Sequence, residues 1–396
     1  MEEHSPARRW DVDWLRVFAT YLLFAFHAGK IFDIPPFYPL KNGELSVAMG
    51  FFTGFIHQWH MPLFFLLAGW SAFESLVQRG SARFMRERLH KLLLPLVFGM
   101  LVICPPIRWV ELREGLFVTA LGQALPAEPG VGLLAFLPRY YTPAGLTWSH
   151  LWFLAYLFTF TLLYLPILVA LSRAPVRRVP ARGSVVYLAL LPLVLVQITL
   201  RGRWPGYQNL VDDWANFAYY SLFFLFGFML ARSPEIERFA QREWRRAGLL
   251  AAAALLGMVA TDLLRARGFE QAVFANRALS GVAGGCGVLF FLGFAARFFS
   301  FSNRALRWLA ESAFPVYLMH QLAVVMVGLW VVSLPLGIAL KYALLVPLSV
   351  AVTLGFYQFV VKPLPALRFC LGMKPGAAAR SRWPVTASAA RTAPSV

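Results

Sequence analysis

Arg16 and His27 stand eleven positions apart in the apolar stretch DVDWLRVFATYLLFAFHAGKIF, residues 11–32. At ~3.6 residues per turn that interval is close to three turns, so both share one helix face, about 16 Å apart along the axis. Asp13 and Thr20 lie three before and four after Arg16, on the same face. Ionisable groups inside a membrane helix are costly, so they usually face a bundle interior and serve a function. The plain alternative is that Arg16 snorkels beside Trp14 with Asp13 as its ion pair. Four polar positions on one face argue for function instead. A guanidinium suits phosphate oxygens, and an imidazole can take the proton of an attacking hydroxyl.

Other histidines fall in similar settings. The segment FIHQWHMPLFFLLAGW carries His57 and His60, one turn apart, with Pro62 as a kink that frees a carbonyl. No acid or thiol accompanies the pair, so a metal site is not expected. The segment ESAFPVYLMHQ carries Glu311, Ser312, Tyr317 and His320 around Pro315. If its helix enters from the cytoplasm, His320 lies about 13 Å deep at ~1.5 Å per residue, near the depth of His27. His150 opens a further apolar run beside Trp152. Four of the seven histidines thus fall near mid-membrane on three helices, which suggests one polar chamber reached from both sides. A GxSxG elbow, a phosphate-binding Gly-rich Lys loop, an HxxxxD motif and CxxC are all absent. Direct transfer assisted by a histidine base is then simpler than a covalent intermediate.

The elements that must position these groups are membrane helices. Of 396 residues 59% are hydrophobic and 14% charged, too apolar for a soluble domain. Ten spanning helices are expected, near 13–32, 47–77, 91–109, 150–171, 184–200, 214–231, 247–264, 276–299, 312–333 and 337–361. The fold class is an all-α polytopic bundle, with residues 1–371 as one transmembrane domain and 372–396 as a disordered tail. The net charge of +18 sits in alternate loops, such as Arg79–Lys91 and Arg173–Arg182, and not in a nucleic-acid patch. By the positive-inside rule both termini are cytoplasmic. The run after Arg8 and Arg9 lacks a convincing small-residue cleavage site and reads as a retained helix. Three scattered cysteines imply neither disulfide nor metal. The long loop 110–149 falls outside, where Tyr140, Tyr141 and Trp148 can stack on sugars or form an interfacial belt. No internal repeat supports a transporter of duplicated halves.

These stretches resemble the acyltransferase-3 family. DWLRVFATYLLFAFH resembles its first-helix signature, HMPLFFLLAGW its second-helix motif, and RFMRERLHKLLLPL its basic loop. SHLWFL and ESAFPVYLMHQ are similar to its fourth-helix start and late Tyr-x-x-His motif. Within the family the motifs most resemble the periplasmic-glucan acyltransferase group.

The resemblance implies an enzyme of the bacterial inner membrane. It would move an acetyl or succinyl group from cytoplasmic acyl-CoA to a hydroxyl of an extracytoplasmic glycan, with no permanently bound cofactor or metal. Arg16, Arg86 and Arg88 are the matching donor-binding positions; His27, His320 and Tyr317 are the matching catalytic ones. In this assignment His27 is the base, and Tyr317 or His320 orients the acceptor or stabilises the oxyanion. The competing readings are a proton-coupled transporter using the same His/Arg cluster and a non-catalytic membrane interaction protein. The acyl group, the acceptor, the oligomeric state and the part played by His57 and His60 are not legible in the sequence.

Overall fold

A computed structural model describes residues 9–119, 123–175 and 187–373. The expected tail from 374 onward lies outside the described residues. Among the described residues the chain is all-α, with one isolated bridge between Val118 and Ala124 and no strand.

Helix α1 is Trp10–Phe32, with Asp11 and Asp13 in its first turn and Lys30 in its last, the distribution that complements the helix dipole. Pro35 and Pro36 follow its end and bar its continuation. Helix α2 is Val47–Arg88, capped by the Ser46 side chain accepting from the Met49 N–H. Helical chain then runs on, through two wider π turns, into α3 (Leu94–Phe98) and α4 (Cys104–Arg113). The remaining helices are α5 (Leu133–Tyr140), α6 (Trp152–Arg173), α7 (Leu190–Thr199), α8 (Trp214–Arg232), α9 (Pro234–Arg242), α10 (Trp244–Ala266), α11 (Ala272–Phe298), α12 (Arg304–Ser333), α13 (Ile338–Phe356) and α14 (Pro365–Cys370).

Eight helical segments among the described residues are long and apolar enough to cross a membrane, against ten expected. One of the eight, Val47–Arg113, holds two of the expected passes. The chain reverses inside it at Gly80, whose φ of 72° and ψ of 169° suit glycine alone. Ser75 Oγ accordingly reaches Glu87 Oε2 at 3.4 Å, where a straight helix would hold residues twelve apart about 18 Å away. The expected helix 184–200 is described only in part. Helix α7 supplies 10 residues of it, about 15 Å at ~1.5 Å per residue, and residues 187–188 just before are helical too. Residues 176–186 before it lie outside the described residues.

Packing in lipid depends on close backbone approach at small residues. Helices α2 and α8 cross at Gly69 and Gly227, where an added Cβ would overlap the carbonyl of Phe224 or of Leu66. Helix α1 is enclosed by α2, α12 and α13, and α10 pairs with α11. Two tyrosines of the 110–149 stretch are tied down: Tyr140 is fully buried and donates to Met100 O at 2.5 Å, while Tyr141 donates to Leu101 O at 2.7 Å. Trp148 donates to Gln208 O at 2.9 Å. Tyr140 is therefore neither a sugar platform nor a belt residue, because its ring lies inside the protein.

Candidate active site

Three helical elements bring three histidines into one cluster. The ring centres of His27 in α1 and His320 in α12 are 5.0 Å apart, and those of His150 and His320 are 5.3 Å apart. His150 stands in the short 3-10 turn Ser149–Leu151 that opens α6.

Backbone carbonyls set the tautomers. His150 Nε2 donates to Leu318 O at 2.9 Å, and His320 Nδ1 donates to Tyr317 O at 2.5 Å. A carbonyl only accepts, so each of these nitrogens must carry the proton. In the neutral rings His150 Nδ1 and His320 Nε2 are then bare lone pairs. Both are buried and have no hydrogen-bond partner among the described residues, and the same is true of His27 Nδ1. Most buried polar atoms are paired, so three neighbouring exceptions call for an occupant or a chemical role.

Tyr317 is buried, and its hydroxyl donates to the His150 carbonyl at 3.3 Å. It links the α12 and α6 contributions and positions His150. His60 donates through Nε2 to Ala19 O at 2.7 Å and joins α2 to α1, whereas His57 is exposed. The carbonyl freed by Pro62 belongs to Gln58 and faces Gly284 of α11. Among the described residues no group of three or more His, Cys, Asp or Glu side chains is arranged to hold a metal.

At the N-terminal end of α1, Arg16 donates to Asp13 Oδ1 at 3.1 Å and to Ser71 Oγ of α2 at 2.6 Å. Arg88 lies over the Phe84 ring at 4.8 Å and within electrostatic reach of Arg16. Arg86, two residues earlier, is exposed. Arg16 and Arg88 are thus within electrostatic reach of each other, and Arg86 lies at the surface.

Two features lie outside the sequence expectations. At the other end of α1, buried Asp33 receives Lys30 at 2.6 Å, Lys41 at 2.8 Å and the Thr53 hydroxyl at 3.0 Å. Two ammonium groups share that carboxylate, and Lys30 lies one turn beyond His27. The i, i+3 spacing of Lys30 and Asp33 is its local sign. The second feature is Tyr38, whose ring stacks on His27 at 5.7 Å between centres. Nothing local in the sequence marks it.

One open pocket of about 250 Å³ lies among Leu112, Phe117, Phe136 and Arg139, within the 110–149 stretch. None of the clustered histidines lines it.

Fold and site together define a polytopic membrane protein with a histidine cluster inside its helix bundle and with Arg16 near the start of α1 and Arg88 at the end of α2. The acyltransferase-3 profile, described as an acyltransferase domain, matches residues 9–358, and the chain belongs to that family of membrane acyltransferases. It is also similar to glucans biosynthesis protein C of Escherichia coli strain K12, 24% identical over 159 residues, or 40% of this chain and 38% of that protein. The same protein of strains O1:K1 / APEC and O157:H7 matches to the same extent. The match spans well under half the length of these relatives. No solved structure matches the chain.

Proposed function

We propose that this enzyme takes an acyl group, acetyl or succinyl, from cytoplasmic acyl-CoA and places it on a hydroxyl of an extracytoplasmic carbohydrate, a glucan in the first instance. The observation that carries the reading is the convergence of three unpartnered ring nitrogens on His27, His150 and His320. The relatives' name, glucans biosynthesis protein C, supports a glucan as acceptor.

Arg16 and Arg88 hold the phosphates of CoA, and Arg86 guides it at the surface. Arginine suits this role through its bidentate contacts to phosphate oxygens. The thioester then sits toward His27, about 16 Å along α1 from Arg16. His27 accepts the acceptor hydroxyl's proton as its oxygen attacks the thioester carbonyl. His320 assists through its Nε2 lone pair, and Tyr317 is a positioning residue. The loop charges support cytoplasmic termini, with the histidine end of α1 toward the outer face. The setting is a bacterial inner membrane.

The test is incubation of the purified protein in detergent with labelled acetyl-CoA, succinyl-CoA and linear glucan oligosaccharides. Release of free CoA together with label on the glucan supports the reading. Thioester left intact with every acceptor, alongside solute flux in proteoliposomes, would replace it with the transporter.

A further inference from the structure

We infer that Tyr38 is the oxyanion donor of the transfer reaction, its phenol hydroxyl hydrogen-bonding the thioester carbonyl oxygen as negative charge develops there. The inference rests on the acyl-transfer reading of the His27 site.

Four observations support it. First, the Tyr38 hydroxyl is buried without a partner among the described residues. A buried hydroxyl in that state is costly unless something arrives to accept its proton. Second, its ring stacks on His27 with an interplanar angle of 27°. The phenol and the imidazole are therefore direct neighbours. Third, the other tyrosine hydroxyls around the cluster are engaged. Tyr317 donates to His150 O, Tyr21 pairs with Ser312 Oγ at 3.0 Å, and Tyr342 donates to Ala25 O at 3.1 Å.

Fourth, the strap that carries Tyr38 is held in place. Asn42 N donates to Ile31 O at 3.0 Å and Ser46 N to Phe32 O at 2.7 Å, returning the strap onto the end of α1. Lys341 of α13, itself buried, donates to Asn42 Oδ1 at 2.9 Å. Phe37 points outward at 88% exposure while its neighbour Tyr38 is 7% exposed. A donor fixed before the reaction costs no reorganisation when charge appears, which is the physical basis of an oxyanion hole. The charged groups near the phenol are Asp33, paired with Lys30 and Lys41, and Glu111, paired with Arg108. Burial, then Asp33 and Glu111, push the Tyr38 hydroxyl well above the ordinary tyrosine range, so it remains a proton donor at working pH.

The step balances. The acceptor oxygen forms a bond to the thioester carbon, its proton passes to His27, and the carbonyl electrons move onto the oxygen held by Tyr38. The carbonyl then re-forms, the C–S bond breaks, and the CoA thiolate takes the proton back from His27.

The experiment is Tyr38→Phe, compared with wild type and His27→Ala in detergent. Free CoA thiol released from acetyl-CoA and succinyl-CoA is followed in the presence of linear glucan oligosaccharides. Loss of one oxyanion donor should lower kcat about 10²–10³-fold with little change in KM for acyl-CoA. Thermal stability should stay level or rise, because the variant removes an unpaired buried hydroxyl. A kcat within twofold of wild type overturns the inference, as does a loss of activity that comes with a lower Tm. No release of CoA thiol by wild type above the protein-free background, with either donor, would instead sink the acyl-transfer reading itself.

Discussion

The His27 and His320 rings lie 5.0 Å apart between centres, although they come from opposite ends of the chain. His320 is held by its own helix through Tyr317 O, which leaves Nε2 as a lone pair. His27 has no such tether among the described residues. In the proposed mechanism His27 is the base and His320 its helper. His27→Ala should reduce turnover by about 10²–10⁴-fold at matched membrane levels, with donor binding kept. His320→Ala should cost less, in part as poorer use of acceptor. The reverse ranking of the two variants would exchange the roles.

The pH profile should have an acid limb and no alkaline limb from Tyr38. A histidine base works only when unprotonated, and an unperturbed imidazole titrates near ~6.5, so the rate falls as pH drops through its pKa. Tyr38 acts in its protonated form and its pKa is raised by burial, then by Asp33 and Glu111, so increasing pH up to 9 leaves it a donor. Measured kcat from pH 5 to 9 in wild type and Tyr38→Phe decides this. A fall above pH 8 present in wild type and missing in the variant would contradict it.

Arg16 bridges Asp13 and Ser71 and sits near Arg88. Arg16→Lys keeps the charge but not the planar fork. It should raise the Kd for acyl-CoA about tenfold, or ~1.4 kcal/mol. Calorimetric titration with unchanged affinity and full activity would return Arg16 to snorkelling.

Topology is open to labelling of intact cells. Ala82 lies beside the Gly80 reversal among basic residues, and Pro129 is exposed in the outer loop. An impermeant thiol reagent should spare Ala82→Cys and modify Pro129→Cys in a chain lacking its three native cysteines. The opposite pattern would invert the orientation and the donor side.

The crossing of α2 and α8 leaves no room for a side chain at Gly69 or Gly227. Gly69→Ala should force the helices apart and cost about 1–3 kcal/mol, as overpacking does. A thermal melt in detergent reads this directly. An unchanged Tm would mean that the crossing can relax freely.

What the sequence by itself determined was local. Apolar runs with basic loops defined a membrane bundle, since only helices satisfy their own backbone in lipid and span it within one segment. Helical periodicity put Arg16 and His27 on one face, because rise and twist are properties of the element alone. The tertiary structure decided the rest. Arg86 and Arg88 look alike in RFMRERLHK, yet one is exposed and the other lies over Phe84 near Arg16. His150 joins His27 and His320 because Tyr317 and Leu318 of α12 present a hydroxyl and a carbonyl to the start of α6. Tyr38 reaches His27 only because the strap folds back under Lys341, a residue far along the chain. Such contacts join segments distant in sequence, and no local period encodes which segments meet. That choice belongs to packing, where glycines such as Gly69 and Gly227 set how closely two helices can approach.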